Sequence, residues 1–328
     1  MTPPQPQPLP AHWKSPFDHH HTRVRPIPGW GRGAELTFPS GIDLCRARGG
    51  EHHRKLAFLI HGWTQNEDYF CLVAPRLVQR GFDTWALRLP GYVSTNEKPG
   101  FWPNSLGISL SWYGWVAASA LAHLQAELAC PPAQTLAWGH SMGGAILSNA
   151  LADLAAAKQN AGVQLAVLEA PAFAESISVL GPMITPVTLM PDDLLNRVTR
   201  TLLIDDCDAS ETTRFLLANI VPGRCSRAIF NLNLLAILNP LNRFPKLTDS
   251  LASRLRFVIG RYDRLVEGAR LQALAEKIGV PPNHILELPR NHFLALSSAP
   301  EICSWLDAWM PDAQLPPHPG PTPSLPAL

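Results

Sequence analysis

Between about residue 31 and residue 310, short apolar runs alternate with longer stretches whose apolar positions recur at helical spacing. The runs at 56–60, 84–89, 135–138, 164–168, 256–259 and 285–288 are apolar at nearly every position, as strands covered on both faces should be. Residues 68–79, 110–128, 142–158, 267–278 and 300–309 read as helices, and a hairpin is expected near 35–48. Strands separated by helices predict an α/β fold, with a mostly parallel central sheet flanked by crossover helices.

The alternation stops from residue 171 to residue 250. That segment mixes helical patterns with several prolines, and since structureless loops of such length are uncommon inside a domain, it predicts a mainly helical cap over the strand ends. The expected organisation is a core domain over 31–170 and 251–310, the cap at 171–250, and proline-rich tails at 1–30 and 311–328.

Composition narrows the classes. The 328 residues are 46% hydrophobic and 16% charged with a formal net charge of +1, which suits a globular protein and lacks the basic excess of a nucleic-acid binder. No apolar run approaches the roughly 20 residues of a membrane span, and the most apolar candidate, 177–190, is broken by Gly181, Pro182 and Pro186. The start of the chain has no apolar signal region, so a cytoplasmic location is expected. Cys45, Cys71, Cys130, Cys207, Cys225 and Cys303 are scattered without a C-x-x-C pair and read as free, mostly buried thiols. His12, His19, His20, His21, His52 and His53 lie in polar or proline-rich chain without ordered ligand spacing, so neither a metal nor another cofactor is expected.

One segment carries a chemical pattern. Gly139-His140-Ser141-Met142-Gly143-Gly144 follows an apolar strand and opens an alanine-rich helix, the setting of a G-x-S-x-G nucleophile elbow. Such a turn exposes the serine at a helix N-terminus, where free N–H groups favour the charge that develops when a hydroxyl attacks a carbonyl. A serine needs a base, and the base needs an acid to orient it. His292 follows the strand at 285–288 and Asp263 follows the strand at 256–259, so both project from the same sheet edge as Ser141. His284 lies at the opposite edge, and His140 is better suited to packing inside the elbow. Glu169 is the rival acid, and Asp263 also suits the plainer part of a helix cap or a partner of Arg261 or Arg264. Backbone N–H groups of Met142 and Trp63, the latter in His61-Gly62-Trp63 after an earlier strand, are the expected oxyanion donors.

The order H-G-W, G-H-S-M-G-G, G-R-Y-D and N-H-F resembles the α/β-hydrolase superfamily over about residues 35–310. With Arg88-Leu89-Pro90-Gly91-Tyr92 it is similar to the lysophospholipase, monoacylglycerol lipase and serine aminopeptidase group, although Val93 stands where that group often has a further glycine. The resemblance implies a serine hydrolase acting through an acyl-enzyme. Phe101 and Trp102 are candidates to line an apolar pocket, and Trp112, Tyr113 and Trp115 read as a core face. Few charges near the mouth point to a small, partly apolar ester as substrate. Thioester hydrolysis, aminopeptidase action, acyl transfer and a non-catalytic binding role on the same scaffold remain alternatives.

Overall fold

A single mixed sheet organises the protein in the computed structural model, which describes residues 14–28, 38–51, 53–93, 109–158, 162–178 and 225–310. Its strands are β1 (Phe17–Thr22), β2 (Ile42–Ala47), β3 (Lys55–Ile60), β4 (Phe82–Arg88), β5 (Thr135–His140), β6 (Leu165–Glu169), β7 (Leu255–Gly260) and β8 (Ile285–Leu288). They lie in the order β1-β2-β4-β3-β5-β6-β7-β8. From β4 to β8 all neighbours are parallel, while β1 and β2 add an antiparallel margin. This is the mostly parallel α/β sheet expected from the alternating pattern.

The helices are α1 (Ala74–Gln79), α2 (Leu110–Glu127), α3 (Met142–Ala156), α4 (Arg227–Leu238), α5 (Asp249–Ala252), α6 (Gly268–Lys277), α7 (Leu294–Ser297) and α8 (Ala299–Asp307). Two cores result. Leu56, Phe58, Ile60 and Leu87 pack with α2, α3 and α6 on one face of the sheet, and Ala57, Leu59, Trp138 and Val167 pack with α1, α7 and α8 on the other. The central strands are buried on both sides, which is why they read as unbroken apolar runs. Helices α2 and α3 approach closely at Gly114, where a Cβ would stand 2.7 Å from that of Asn149. Trp112, Tyr113 and Trp115 lie in this core.

Two expectations need correction. The hairpin placed near 35–48 is instead made by β2 with β1, so residues 17–22 belong to the sheet rather than to a tail spanning 1–30. Strand β1, Phe-Asp-His-His-His-Thr, has no apolar pattern to mark it because only Phe17 is buried, as befits an edge with one side in water. The single helix expected over 68–79 is a short 3-10 turn at Glu67–Phe70 followed by α1, whose second position is Pro75. Proline has no N–H to continue a helix and favours a fresh first turn. The helix expected at 300–309 is α8 (Ala299–Asp307), preceded by the separate turn of α7. The tail at 311–328 lies outside the described residues.

Candidate active site

The sheet edge at the ends of β5, β7 and β8 gathers the residues singled out from sequence. Ser141 joins β5 to α3 with φ 52° and ψ −117°, a conformation that costs an L-residue of order 1–3 kcal/mol. The turn is held by bonds from Ser141 N–H to Glu169 O at 2.8 Å and from Ala172 N–H to Ser141 O at 3.0 Å. Its tightness explains the glycines: a Cβ on Gly139 would stand 2.4 Å from Gly143 O, and one on Gly143 only 2.2 Å from Ile60 O. Ser141 occupies the N-cap of α3, yet its hydroxyl makes no capping hydrogen bond, which leaves the oxygen free for chemistry. The residue is 3% exposed rather than open to solvent, because the loop after β3 closes over it: a Cβ on Gly62 would lie 3.1 Å from Ser141 Cβ.

Asp263 and His292 are brought together. Asp263 Oδ2 lies 2.6 Å from His292 Nδ1, and both side chains are almost wholly buried. Asp263 is not the cap of α6, whose N-cap is Glu267, but its Oδ1 fixes the preceding turn by accepting the N–H groups of Leu265 and Val266, each at 2.9 Å. One oxygen therefore fixes the turn while the other meets the imidazole. Arg261 pairs with Glu287 instead. His292 is itself held by its backbone N–H, which donates to Asn291 Oδ1 at 2.8 Å.

The loop after β3 is built around His61. Its Nε2 accepts the Leu89 N–H at 3.1 Å, and Nδ1 lies 2.9 Å from Gly62 O, so the proton sits on Nδ1. Burial lowers the imidazole pKa to about 4, and the ring is neutral near pH 7. Trp63 packs on Phe230 of α4 with ring centroids 4.4 Å apart and donates its indole N–H to Phe230 O at 3.1 Å. Met142 is the first residue of α3, so its N–H has no acceptor within the helix. Phe101 and Trp102 lie outside the described residues.

Glu169, the rival acid, serves a different imidazole. It is buried beside His140, with Nδ1 3.2 Å from the carboxylate. No sequence rule found this pairing, since a lone acidic residue at a strand end has no period to read. A second surprise is His19, expected in solvated chain. It sits on β1 opposite Cys45 and near Glu67, with ligand atoms of the three within 4.8 Å. Arg88 fills that place: its guanidinium forks onto Glu67 at 2.9 and 2.7 Å and contacts His19. A fixed cation there opposes a metal ion. The described cysteines are free thiols, as the scattered spacing suggested.

Helix α4, within the segment expected as a cap, is fastened to this edge. Ser226 caps it, Asn233 Nδ2 donates to Tyr92 OH at 2.7 Å, and Ile229 packs against Gly91, whose φ of 91° suits glycine. No helix among the described residues is long and apolar enough to cross a membrane.

Solved structures with this fold include several esterases. Naproxen esterase from Bacillus subtilis superposes with a TM-score of 0.57 at 14% identity, covering 91% of this chain and 93% of its own. An esterase from Exiguobacterium antarcticum gives 0.64 at 14% identity, covering 89% and 100%, and a thermophilic esterase from Thermogutta terrifontis gives 0.64 at 13%, covering 90% and 99%. At such identities the likeness is one of fold. No curated protein sequence is significantly similar to this chain. Residues 57–304, however, match the Alpha/beta hydrolase family, and the chain belongs to that family.

Proposed function

We propose that this protein is a serine hydrolase that cleaves carboxylic esters of small, partly apolar acids through an acyl-enzyme. Ser141 is the nucleophile, His292 the general base and acid, and Asp263 the residue that holds the imidazole. The observation that carries the reading is the 2.6 Å Asp263–His292 pair on the same sheet edge as a serine at positive φ whose hydroxyl is not spent on capping.

The roles follow from that geometry. With Nδ1–H directed at Asp263, His292 keeps Nε2 free to take the Ser141 proton as Oγ attacks the ester carbonyl. The resulting oxyanion is bound by the N–H groups of Met142 and Trp63. Collapse breaks the bond to the alkoxide, which takes the proton from His292 and leaves as alcohol. Water then gives a proton to His292 and attacks the acyl-enzyme, releasing the acid and restoring Ser141. Residues 171–250 act as a cap that, with Phe101 and Trp102, sets the acyl pocket. The elbow and the Arg88–Tyr92 segment favour the lysophospholipase, monoacylglycerol lipase and aminopeptidase group within the family, and the esterase neighbours favour ester chemistry.

A fluorophosphonate probe tests the nucleophile: the native chain should be labelled and Ser141→Ala should not. Side-by-side turnover of p-nitrophenyl esters, acyl thioesters and amino-acid anilides tests the substrate class. Equal labelling of the variant sinks the nucleophile, and turnover of anilides alone sinks the esterase reading.

A further inference from the structure

The proposed reaction makes no use of Glu169, although it is fully buried at the end of β6, beside the elbow. A carboxylate taken out of water is costly unless donors surround it. Oε1 receives the Tyr69 hydroxyl and the Ala295 N–H, the latter at 2.8 Å, and lies 3.2 Å from His140 Nδ1; Oε2 receives the Trp138 indole N–H at 2.7 Å. Burial alone pushes the Glu169 carboxyl upward, but His140, Tyr69 and the Ala295 N–H outweigh it and hold the group below the usual carboxylate range. Burial, opposed by Glu169, holds the His140 imidazole below its ordinary value. Glu169 is thus held as a carboxylate.

An apolar side chain could fill the same volume without this shell of donors. The donors come from the segments the reaction needs. His140 immediately precedes Ser141, Ala295 lies in α7 just beyond His292, and Tyr69 comes from the turn behind the loop carrying Trp63. The main-chain carbonyl of Glu169 also accepts the Ser141 N–H. Between the two histidines the gap is small: the His140 ring stacks on Tyr69 at 4.1 Å and stands 4.8 Å from the His292 ring.

We propose that Glu169 is a positioning residue, whose carboxylate ties the nucleophile elbow to the segment bearing His292 and favours the imidazolium formed there during each acylation. The proposal rests on the Ser141–His292–Asp263 reading. The titratable groups around His292 are Asp263 from the loop after β7 and His140 from β5, with Glu169 and Tyr69 behind His140. Removing the negative charge at Glu169 makes a proton on His292 less favourable, so the acid limb of the rate profile moves to lower pH.

The test is the pH dependence of kcat/KM on p-nitrophenyl acetate for the native chain, Glu169→Gln, Glu169→Asp and Tyr69→Phe, with active sites counted by fluorophosphonate titration. Glu169→Gln should lose about tenfold or more in kcat with KM little changed, and its acid limb should move to lower pH. Glu169→Asp, which keeps the charge, should keep the native limb. Tyr69→Phe should lower kcat severalfold without moving the limb. A native limb in Glu169→Gln overturns the proposal, as does a native kcat in Tyr69→Phe should the glutamine variant not fold. Failure of the native chain to be labelled at Ser141 would instead overturn the triad on which it rests.

Discussion

Acidification should weaken this fold through His61, and the size of the effect can be worked out. The folded pKa of about 4 lies below the ordinary 6.5 because the ring is wholly buried. An unfolded chain therefore binds a proton between pH 6.5 and 4 that the folded chain refuses, so stability rises with pH in that window and is lost as pH falls through it. At about 1.4 kcal/mol per unit, the contribution lost by pH 4 is about 3 kcal/mol. His61→Gln removes the titration but strands the Leu89 N–H or the Gly62 carbonyl, costing about 1–3 kcal/mol at every pH. Urea unfolding at pH 7, 6, 5 and 4.5 should then show the native chain ahead at pH 7, with the two curves converging on acidification. His140 and Glu169, whose pKa values are also lowered, titrate alike in both chains and cancel from the difference. Parallel curves for native and variant would refute the assignment.

Other perturbations have equally definite outcomes. Gly143→Ala sets a methyl 2.2 Å from Ile60 O and 2.5 Å from His61 O, both backbone atoms, and should cost at least 1–3 kcal/mol, roughly, with a clear fall in Tm on thermal melting; an unchanged Tm would contradict the packing. Asp263→Asn keeps an oxygen for Leu265 and Val266 but forces the wrong tautomer on His292, so kcat for p-nitrophenyl acetate should drop by about 10³–10⁴ with KM near native. Glu169→Asp should not show that loss, and if it does while Asp263→Asn stays active, the acid has been misassigned. Glu67→Gln leaves the buried Arg88 guanidinium with Asp43, at 3.5 Å, as its charged partner among the described residues, and the urea midpoint should fall by an amount equivalent to about 3–5 kcal/mol.

Residues whose role is set by their neighbours in sequence were legible in advance. β5, β7 and β8 are apolar runs between turn residues, a pattern that by itself puts Ser141, Asp263 and His292 on one edge. Residues whose role is set across the fold were not. Glu169 meets Tyr69 and Ala295 over separations of 100 and 126 residues, and nothing periodic marks such a contact. Strand β1 was hidden for another reason: an edge needs one buried residue, and its histidines look like solvated tail until Cys45 and Arg88 are placed beside them. Pro75 shows the converse: the breaker is visible in the sequence, and it outweighs the continuous amphipathic pattern around it.

The left-handed backbone at Ser141 also bears on how this chain can change over generations. Glycine tolerates φ 52° where serine is strained, so at position 141 the substitution that best relieves the fold is the one that deletes the hydroxyl. With Ser141 as the proposed nucleophile, thermal tolerance and turnover select opposite residues at a single codon. A mutant library sorted for heat resistance alone should accumulate glycine there, and sorting the same library for ester turnover should purge it.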